Sequence, residues 1–192
     1  MKKGLDKEKI ITTSLKMIEQ DGRANFSLHK LAAALGVKTA SLYNYVYNFE
    51  ELMTAISLDV IQQLIRAEEK AIAGKRGDAA IAALARAYFH FGREHYELYQ
   101  IFMESRQPRS DVLEKAGIHI LDPILTAFAE IQLSPSDKIH WERIFRSLIH
   151  GFIAQEEAGF FTYGHINSQE SFEKSIQCFL TGIHAAESRA SK

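Results

Sequence analysis

The sequence predicts an all-α protein, and three observations support this fold class. Apolar residues recur at helical spacing along most of the 192 residues, whereas no stretch alternates apolar and polar residues for long. Only three prolines occur, so few positions interrupt a helix. With 46% hydrophobic residues, the chain is long enough to bury a core in one domain or two small ones.

Capping signals divide the first third of the chain into helices. Asp6, Ser27 and Asn48 each follow an apolar residue and precede a helical pattern, as expected for an N-cap with a hydrophobic staple. Glu51 can return to the cap amide of Asn48 and complete a capping box. Gly36 stands where a helix end needs a left-handed residue. These signals predict helices over 6–21, 27–35, 39–46 and 48–73.

Similar signals predict further helices in the rest of the chain. Their starts are expected at Asp78, Glu97, Ser134 and Ser168, where Asp78 and Ser168 act as caps. A helical pattern from Ser110 to Ile131 is interrupted at Pro123. This proline either kinks one helix or begins a second helix with Asp122 as its cap.

The charge distribution singles out the N-terminal third. The whole chain has a net charge of −1 and gives no overall signal for nucleic acid. Residues 1–53 contain eight Lys or Arg and six Asp or Glu, a balance of +2, whereas the remainder has 15 against 18, or −3. No acid occurs between Arg23 and Phe49. Binding to a polyanion is therefore expected near this segment.

Residues 27–46 follow the order helix, glycine turn, short helix, which is the pattern of a DNA-binding helix-turn-helix. Leu42 and Val46 are expected to pack on the preceding helices, which leaves the opposite face of the short helix exposed. That face and its flanks carry polar, small and planar side chains that suit phosphates and base edges. The candidate DNA contacts on this face and its flanks are Lys38, Thr39, Ala40, Ser41, Tyr43, Asn44, Tyr45 and Asn48. The alternative interpretation is an ordinary helical hairpin with an amphipathic surface.

The segment LHKLAAALGVKTASLYNYVYNFEELMTAI closely resembles the DNA-binding signature of TetR-family transcriptional regulators. LA-x-x-LGV, a small or polar triplet, LY and a capped helix follow one another with the spacing of that family, over roughly residues 5–56. Farther along, Trp141, His150 and Gly151 resemble the W…HG pattern of one C-terminal subclass of the family.

The resemblance implies a regulator, by family default a repressor, that binds a near-palindromic double-stranded DNA operator as a homodimer. It implies a three-helix DNA-binding domain over residues 1–47 and an effector-binding and dimerisation domain over 48–192. By the match to the family motif, phosphate or base contacts are implied for Ser27, Lys38, Thr39, Ser41, Tyr43 and Tyr45. The helix over 48–73 connects the two, and the last two helices form the dimer contact. The family usually has lysines where this chain has Tyr47 and Phe49, so basic residues elsewhere are expected to contact phosphates. These residues are Lys2, Lys3, Arg23 and Lys30.

Residues 78–165 are rich in large aromatic residues and histidines, which suits a largely apolar pocket for a small hydrophobic or aromatic effector. The candidate ligand residues are Tyr88, Phe89, Tyr96, Phe102, Phe128, Trp141, Phe145 and His150. For any one of them, the alternative is ordinary core packing.

Other functional classes find less support. His90 and His95 lie about 140° apart around a helix and no Cys/His cluster occurs, so neither a metal nor another cofactor is expected. No nucleophile–base constellation or phosphate loop indicates an enzyme. Two alternatives stay open: a transcriptional activator of the same family, and a helical scaffold protein without DNA binding.

The remaining features concern the compartment of the protein. No long apolar run or signal-peptide core occurs, so the chain is expected to be cytoplasmic and without a membrane partner. Its single cysteine, Cys178, excludes an internal disulfide. Because Cys178 stands beside Phe179 and Leu180, we expect a packed thiol.

Overall fold

The computed structural model describes residues 4–105 and 119–190, and these are predominantly α-helical. The helices are α1 (Lys7–Asp21), α2 (Leu28–Leu35), α3 (Thr39–Leu42), α4 (Phe49–Ile72), α5 (Gly77–Glu94), α6 (Tyr96–Ser105), α7 (Asp122–Ala127), α8 (Pro135–Glu157) and α9 (Ser168–Ala190). Short 3-10 turns occupy Arg23–Asn25 and Tyr163–His165. Neither described range contains a strand, and the predicted all-α class is confirmed.

The predicted caps of α1, α2 and α4 are confirmed. Each cap side chain accepts a hydrogen bond from the amide three residues later: Asp6 from Lys9 at 2.7 Å, Ser27 from Lys30 at 3.3 Å and Asn48 from Glu51 at 2.8 Å. The capping box differs in one detail. The Glu51 carboxylate accepts from the amide of Tyr47 at 2.5 Å, not from that of Asn48, because the long side chain reaches one residue past the cap.

Helix α3 is shorter than predicted. It ends at Leu42, whereas the sequence pattern suggested a helix as far as Val46. The amides of Tyr45 and Val46 both bond to the carbonyl of Leu42, at 2.9 and 3.1 Å. Two donors therefore share one acceptor, and the chain leaves the helix in a tightened turn.

Three predicted caps are wrong. α9 begins at Ser168, so this residue lies in the first turn and its hydroxyl donates to the Glu156 carboxylate at 2.6 Å. The side chain of Asn167 accepts from the amide of Gln169 at 2.9 Å and takes the cap position instead.

α5 begins at Gly77, so Asp78 lies in its first turn, where the carboxylate contacts the Nε2 atom of His184 at 2.7 Å. α7 begins at Asp122 with Leu121 in the cap position. Pro123 thus lies in the first turn of a helix. Backbone N–H groups in that turn have no intrahelical acceptor, so the lack of an N–H in proline costs no hydrogen bond. The predicted pattern over Ser110–Ile118 lies outside the described residues.

One compact unit contains α1 to α3, the first part of α4, and α6. α1 packs on α2 and α6, and α2 packs on α3. The side chains of its core are fully buried, among them Ile10, Ile18, Leu31, Leu42 and Leu52.

Polar contacts hold α6 to the end of α1 in this first unit. The Glu97 carboxylate accepts from the amide of Arg23 at 2.8 Å, and the Arg23 guanidinium pairs with Glu104. Nearby, Nδ1 of His95 lies 2.5 Å from the Glu19 carboxylate.

A second compact unit contains the rest of α4, α5, and α7 to α9. α5 packs against α7, α8 and α9, and α8 packs on α9. Arg86 on α5 makes two hydrogen bonds, of 2.8 and 2.7 Å, to Glu173 on α9. This ion pair holds the pKa of the Glu173 carboxyl below its usual value and raises that of Arg86.

Cys178 contradicts the sequence interpretation, because its side chain is exposed. The buried face of α9 is formed by Phe172, Ile176, Phe179, Leu180 and Ile183. Cys178 comes two positions after Ile176, which places it about 200° away around the helix. Among the described helices, none is both long and apolar enough to span a membrane.

Candidate nucleic-acid interface

The interface is built on α3, which is held by two anchors. Leu42 is 0% exposed and Val46 is 2% exposed, as the helix-turn-helix interpretation requires. The candidate residues that are exposed are Lys38, Ala40, Tyr43, Asn44 and Tyr45, whereas Thr39 and Ser41 are half-buried. A helix of one turn cannot persist alone, so packing of its apolar side fixes the polar side toward solvent.

The turn before α3 depends on Gly36. Its φ of 69° and ψ of 31° lie in the left-handed region, which disfavours side chains with a Cβ. Its amide bonds to the carbonyl of Ala33 at 3.1 Å, and the amide of Val37 bonds to that of Ala32 at 3.0 Å. This is the Schellman arrangement, and it ends α2 in a single defined geometry. The orientation of α3 follows from it.

The flanking candidates act partly as caps. The Ser27 hydroxyl and the Asn48 side-chain oxygen accept bonds at the starts of α2 and α4, whereas the side chain of Lys30 is exposed. Ser27 and Asn48 therefore fix the helices on either side of residues 37–47, which we call the reading segment. Lys30 remains available to an anion.

The start of α4 already holds an anion from the chain itself. The hydrogen bond from the Tyr47 amide, together with Lys7 at 3.1 Å, holds the pKa of the Glu51 carboxyl below its usual value. The sequence placed a candidate DNA contact at Asn48, where the dipole at the start of α4 would favour a phosphate. A phosphate at that position would compete with Glu51.

The structure adds one aromatic residue that sequence reasoning left out of the site. Tyr47 is 86% exposed, more than Tyr43 at 52% or Tyr45 at 36%. Phe49, also exposed, lies with its ring centroid 6.1 Å from that of Phe26. The alternation of Tyr43, Tyr45 and Tyr47 in the sequence was the available signal.

Comparison with known proteins gives the family. Residues 81–179, more than half of the chain, match the family model described as the tetracyclin repressor-like C-terminal domain. The chain belongs to the TetR family of transcriptional regulators. Members of this family bind DNA and dimerise, and they are not enzymes. The scaffold alternative is thereby set aside, whereas the W…HG subclass stays a prediction.

One curated relative and two solved structures illustrate what this chain is similar to. Rv0681 of Mycobacterium tuberculosis, an HTH-type transcriptional regulator, is 27% identical over 156 residues, covering 81% of this chain and 72% of that protein. A protein from Rhodococcus sp. RHA1 has a TM-score of 0.81 at 22% identity, covering 94% of this chain and 96% of that one. A TetR family transcription regulator from Marinobacter aquaeolei VT8 has a TM-score of 0.68 at 17% identity, covering 91% and 93%.

The predicted ligand residues are divided between the two compact units. Tyr96 and Phe102 belong to the first unit, and the other six belong to the second. In the second unit, two aromatic clusters account for four of them. Phe89 stacks on Phe172 at 3.9 Å, and these two rings also contact Phe152. The other cluster contains Phe128, Trp141, Phe145 and Phe179, with centroid distances of 5.3 to 6.0 Å.

The remaining candidates of the second unit are buried to different degrees. Tyr88 is 3% exposed, whereas His150 is half-buried and its pKa is lowered by burial. An open groove of about 430 Å³ is lined by Ala71, Lys75, Ala83, Arg86, Ala87, Phe89, His90 and Gln169. Of the predicted ligand residues, Phe89 alone lines this groove. Over the described parts of the chain, no three His, Cys, Asp or Glu side chains are grouped so as to hold a metal ion.

Proposed function

We propose that this regulator is a ligand-responsive repressor that binds a palindromic operator as a homodimer. The proposal depends on how α3 is held. Leu42 and Val46 are buried, so the polar side of α3 faces solvent, and the segment around it contains no acidic residue. The runner-up, an activator, would use the same interface and differ only in where its operator lies relative to the promoter. The proposed division is a DNA-binding domain over 1–47 and an effector and dimer domain over 48–192.

The side chains of the interface have complementary roles in this proposal. Lys38 pairs with a guanine edge or a phosphate, Ala40 contacts a thymine methyl, and Asn44 pairs with adenine. Hydroxyl groups supply the phosphate contacts that set the register on the duplex. These hydroxyls belong to Ser27, Thr39, Ser41, Tyr43 and Tyr45.

Selection of bound duplexes from a random pool tests the DNA-binding proposal, because it reports sequence preference and half-site spacing together. Lys38→Ala and Tyr43→Ala should each weaken operator binding by about 10- to 100-fold and leave the dimer unchanged. Lys70→Ala is the matched control, since Lys70 is exposed near the far end of α4 and loses the same charge. Full-strength binding by both interface variants would show that the reading face is placed wrongly.

The dimer contact is proposed on α8 and α9. Ile139 and Ile144 on α8 are 52% and 48% exposed, which is unusual for isoleucine and fits a surface covered by a second copy. Cys178, Thr181 and Ala185 are exposed small residues at i, i+3 and i+7 on one stripe of α9, where they permit close helix approach. Two-fold symmetry doubles the contacts that a single recognition helix makes.

The single cysteine makes the interface testable. A short bismaleimide that links two molecules can do so only through Cys178, since no other cysteine exists. Rapid formation of a covalent dimer is expected, and Ala185→Arg should shift the protein to a monomer in sedimentation. Ala79→Arg, on an exposed position of α5, is the control. A dimer that survives Ala185→Arg would place the contact elsewhere.

Effector release of DNA is proposed to act through α4. A hundredfold loss of operator affinity needs about 2.7 kcal/mol of differential effector affinity. α4 contains neither glycine nor proline, so it can transmit a displacement along its length. A flexible glycine insertion near Ala71 should abolish release and leave operator affinity intact. Release with unchanged potency would exclude this route.

A further inference from the structure

Glu68 occupies a position that its surroundings on α4 do not explain. The buried stripe of this helix repeats every four residues: Leu52, Ile56, Val60, Leu64, Glu68 and Ile72. Every other position in that series is aliphatic. Glu68 is 0% exposed, so a carboxyl group replaces a hydrocarbon side chain within an apolar stripe.

The carboxyl group of Glu68 lacks a hydrogen-bond partner for either oxygen in the part of the chain that the structure describes. The nearest cations on the same helix, Arg66 and Lys70, are two residues away on the opposite side and exposed. The ammonium of Lys75, farther along, donates to the carbonyl of Ala71 at 2.6 Å.

Two other carboxylates that are shielded from solvent, those of Glu142 and Glu156, lie beside an arginine. Glu142 is 6% exposed and pairs with Arg146 one turn later on α8. The half-buried Glu156 accepts from the Ser168 hydroxyl at 2.6 Å and lies 3.3 Å from the Arg93 guanidinium. Burial of a carboxyl without a partner costs free energy that a leucine at the same position would not. Such a group is expected where a partner arrives from outside.

We propose that Glu68 is the counter-ion for an effector that carries a protonated amine on an apolar body. A buried carboxylate prefers a cation with N–H donors, and Leu64 and Ile72, one turn to either side, suit the hydrocarbon part. The inference rests on the proposed effector-binding function and narrows the effector from hydrophobic molecules in general to hydrophobic amines.

The test compares amines with alcohols of the same skeleton. A panel of phenylalkylamines, from phenethylamine to 6-phenylhexylamine, is titrated into the full-length dimer beside the matching phenylalkanols, and affinity is measured by calorimetry. The wild-type protein should bind at least one amine tenfold or more above its alcohol. Glu68→Gln should lower that affinity on the order of 100-fold. Glu69→Gln, which removes a charge from the exposed neighbouring residue, should leave it unchanged.

Three results would overturn the proposal. The first is that no amine binds more tightly than its alcohol, and the second is that Glu68→Gln and Glu69→Gln behave alike. The third is that Glu68→Gln and Glu68→Leu both unfold more easily than wild type at pH 8, because that would show a paired carboxylate within the chain. If alcohols and amines release the operator equally well, control by an effector stands and the inference about Glu68 fails.

If no operator is found, the proposed DNA-binding function fails, while the titration with amines and alcohols still tests the role of Glu68.

Discussion

Gly36 shows how a single backbone angle fixes the position of the reading segment. A Cβ built at this residue meets no described side chain and no backbone beyond the adjoining residues within 4 Å, so the main obstacle to a substitution is the φ of 69°. Gly36→Ala should therefore cost about 1 kcal/mol of folding free energy, measured by urea unfolding. Gly36→Asn should cost clearly less, since asparagine tolerates the left-handed region. Equal losses in both variants would contradict this explanation.

Glu68 gives a prediction for the pH dependence of stability. Burial, with a smaller effect of the neighbouring Glu69 carboxylate, raises the pKa of Glu68 from 4.5 to about 8. Between these values the folded state holds a proton that the unfolded state has released, so stability falls as pH rises. Each pH unit of this interval changes the free energy of unfolding by about 1.4 kcal/mol, so the loss is expected to reach several kcal/mol.

Comparison of the wild-type protein with the Glu68→Gln variant isolates the contribution of the Glu68 carboxyl to the pH dependence of stability. Glu68→Gln should gain stability relative to wild type as pH increases from 5 to 9 in the absence of effector, as measured by denaturant unfolding at each pH. The Glu69→Gln variant should follow wild type closely. If the difference in stability between wild type and Glu68→Gln stays constant from pH 5 to 9, the Glu68 carboxyl is not the cause of the pH dependence.

Local chemistry made some residues predictable and others not. Asp6, Ser27 and Asn48 act as caps because a cap needs only an amide three residues later, which the sequence shows directly. The exposure of Cys178 and the isolation of Glu68 depend on which face each helix buries and on what lies opposite. No pattern within one segment contains that information.

At the scale of helices, the contact between α8 and α9 depends on Gly182. A Cβ at this residue would lie 2.9 Å from Cη2 of Trp141, whose indole also packs against Phe179 at 5.3 Å. Gly182 lies on α9, one of the two helices that the family resemblance assigned to the dimer contact. The structure assigns it to packing within one chain.

This contact leads to a test that uses the only tryptophan of the chain. Gly182→Ala should destabilise the protein by about 1 to 3 kcal/mol through overpacking and should change the emission of Trp141. The double variant Gly182→Ala with Trp141→Phe should recover part of the loss, because the smaller ring leaves room. An additive effect of the two changes in unfolding experiments would show that they do not share the contact.

Helix boundaries were predictable where the chain carries a local stop or start. The turn at Gly36 was found correctly, and Pro123 was correctly recognised as an interruption. The end of α3 was placed too late because Tyr43 to Val46 continue the apolar spacing, while the hydrogen bonds close on Leu42. The aromatic residues that suggested a pocket share their apolar pattern with an ordinary core, so sequence alone could not separate the two roles.

At the scale of the whole molecule, two exposed basic side chains beside α3 are the candidates for phosphate contacts. Arg23 and Lys7 are paired with Glu104 and Glu51. Lys30 and Lys38 are exposed and form no ion pair with the described residues. If both contact phosphates in each of two subunits, the variant lacking both should lose about 3.6 from the slope of log Kobs against log salt, at about 0.9 per contact.

The measurement is operator binding between about 50 and 200 mM salt. Replacement of the distant Lys70 and Lys75 by alanine removes the same charge and should leave the slope near that of wild type. A slope that is unchanged in the Lys30 and Lys38 variant would mean that other cations hold the DNA backbone.

The capped helices have one more consequence. The starts of α1, α2 and α4 are all satisfied by side chains of the protein before DNA arrives, at Asp6, Ser27 and Asn48. Association with an operator then requires no coil-to-helix transition in this region. The heat-capacity change of binding should be small, close to what the docked surface area alone gives, and far from that of a basic arm which folds on its target.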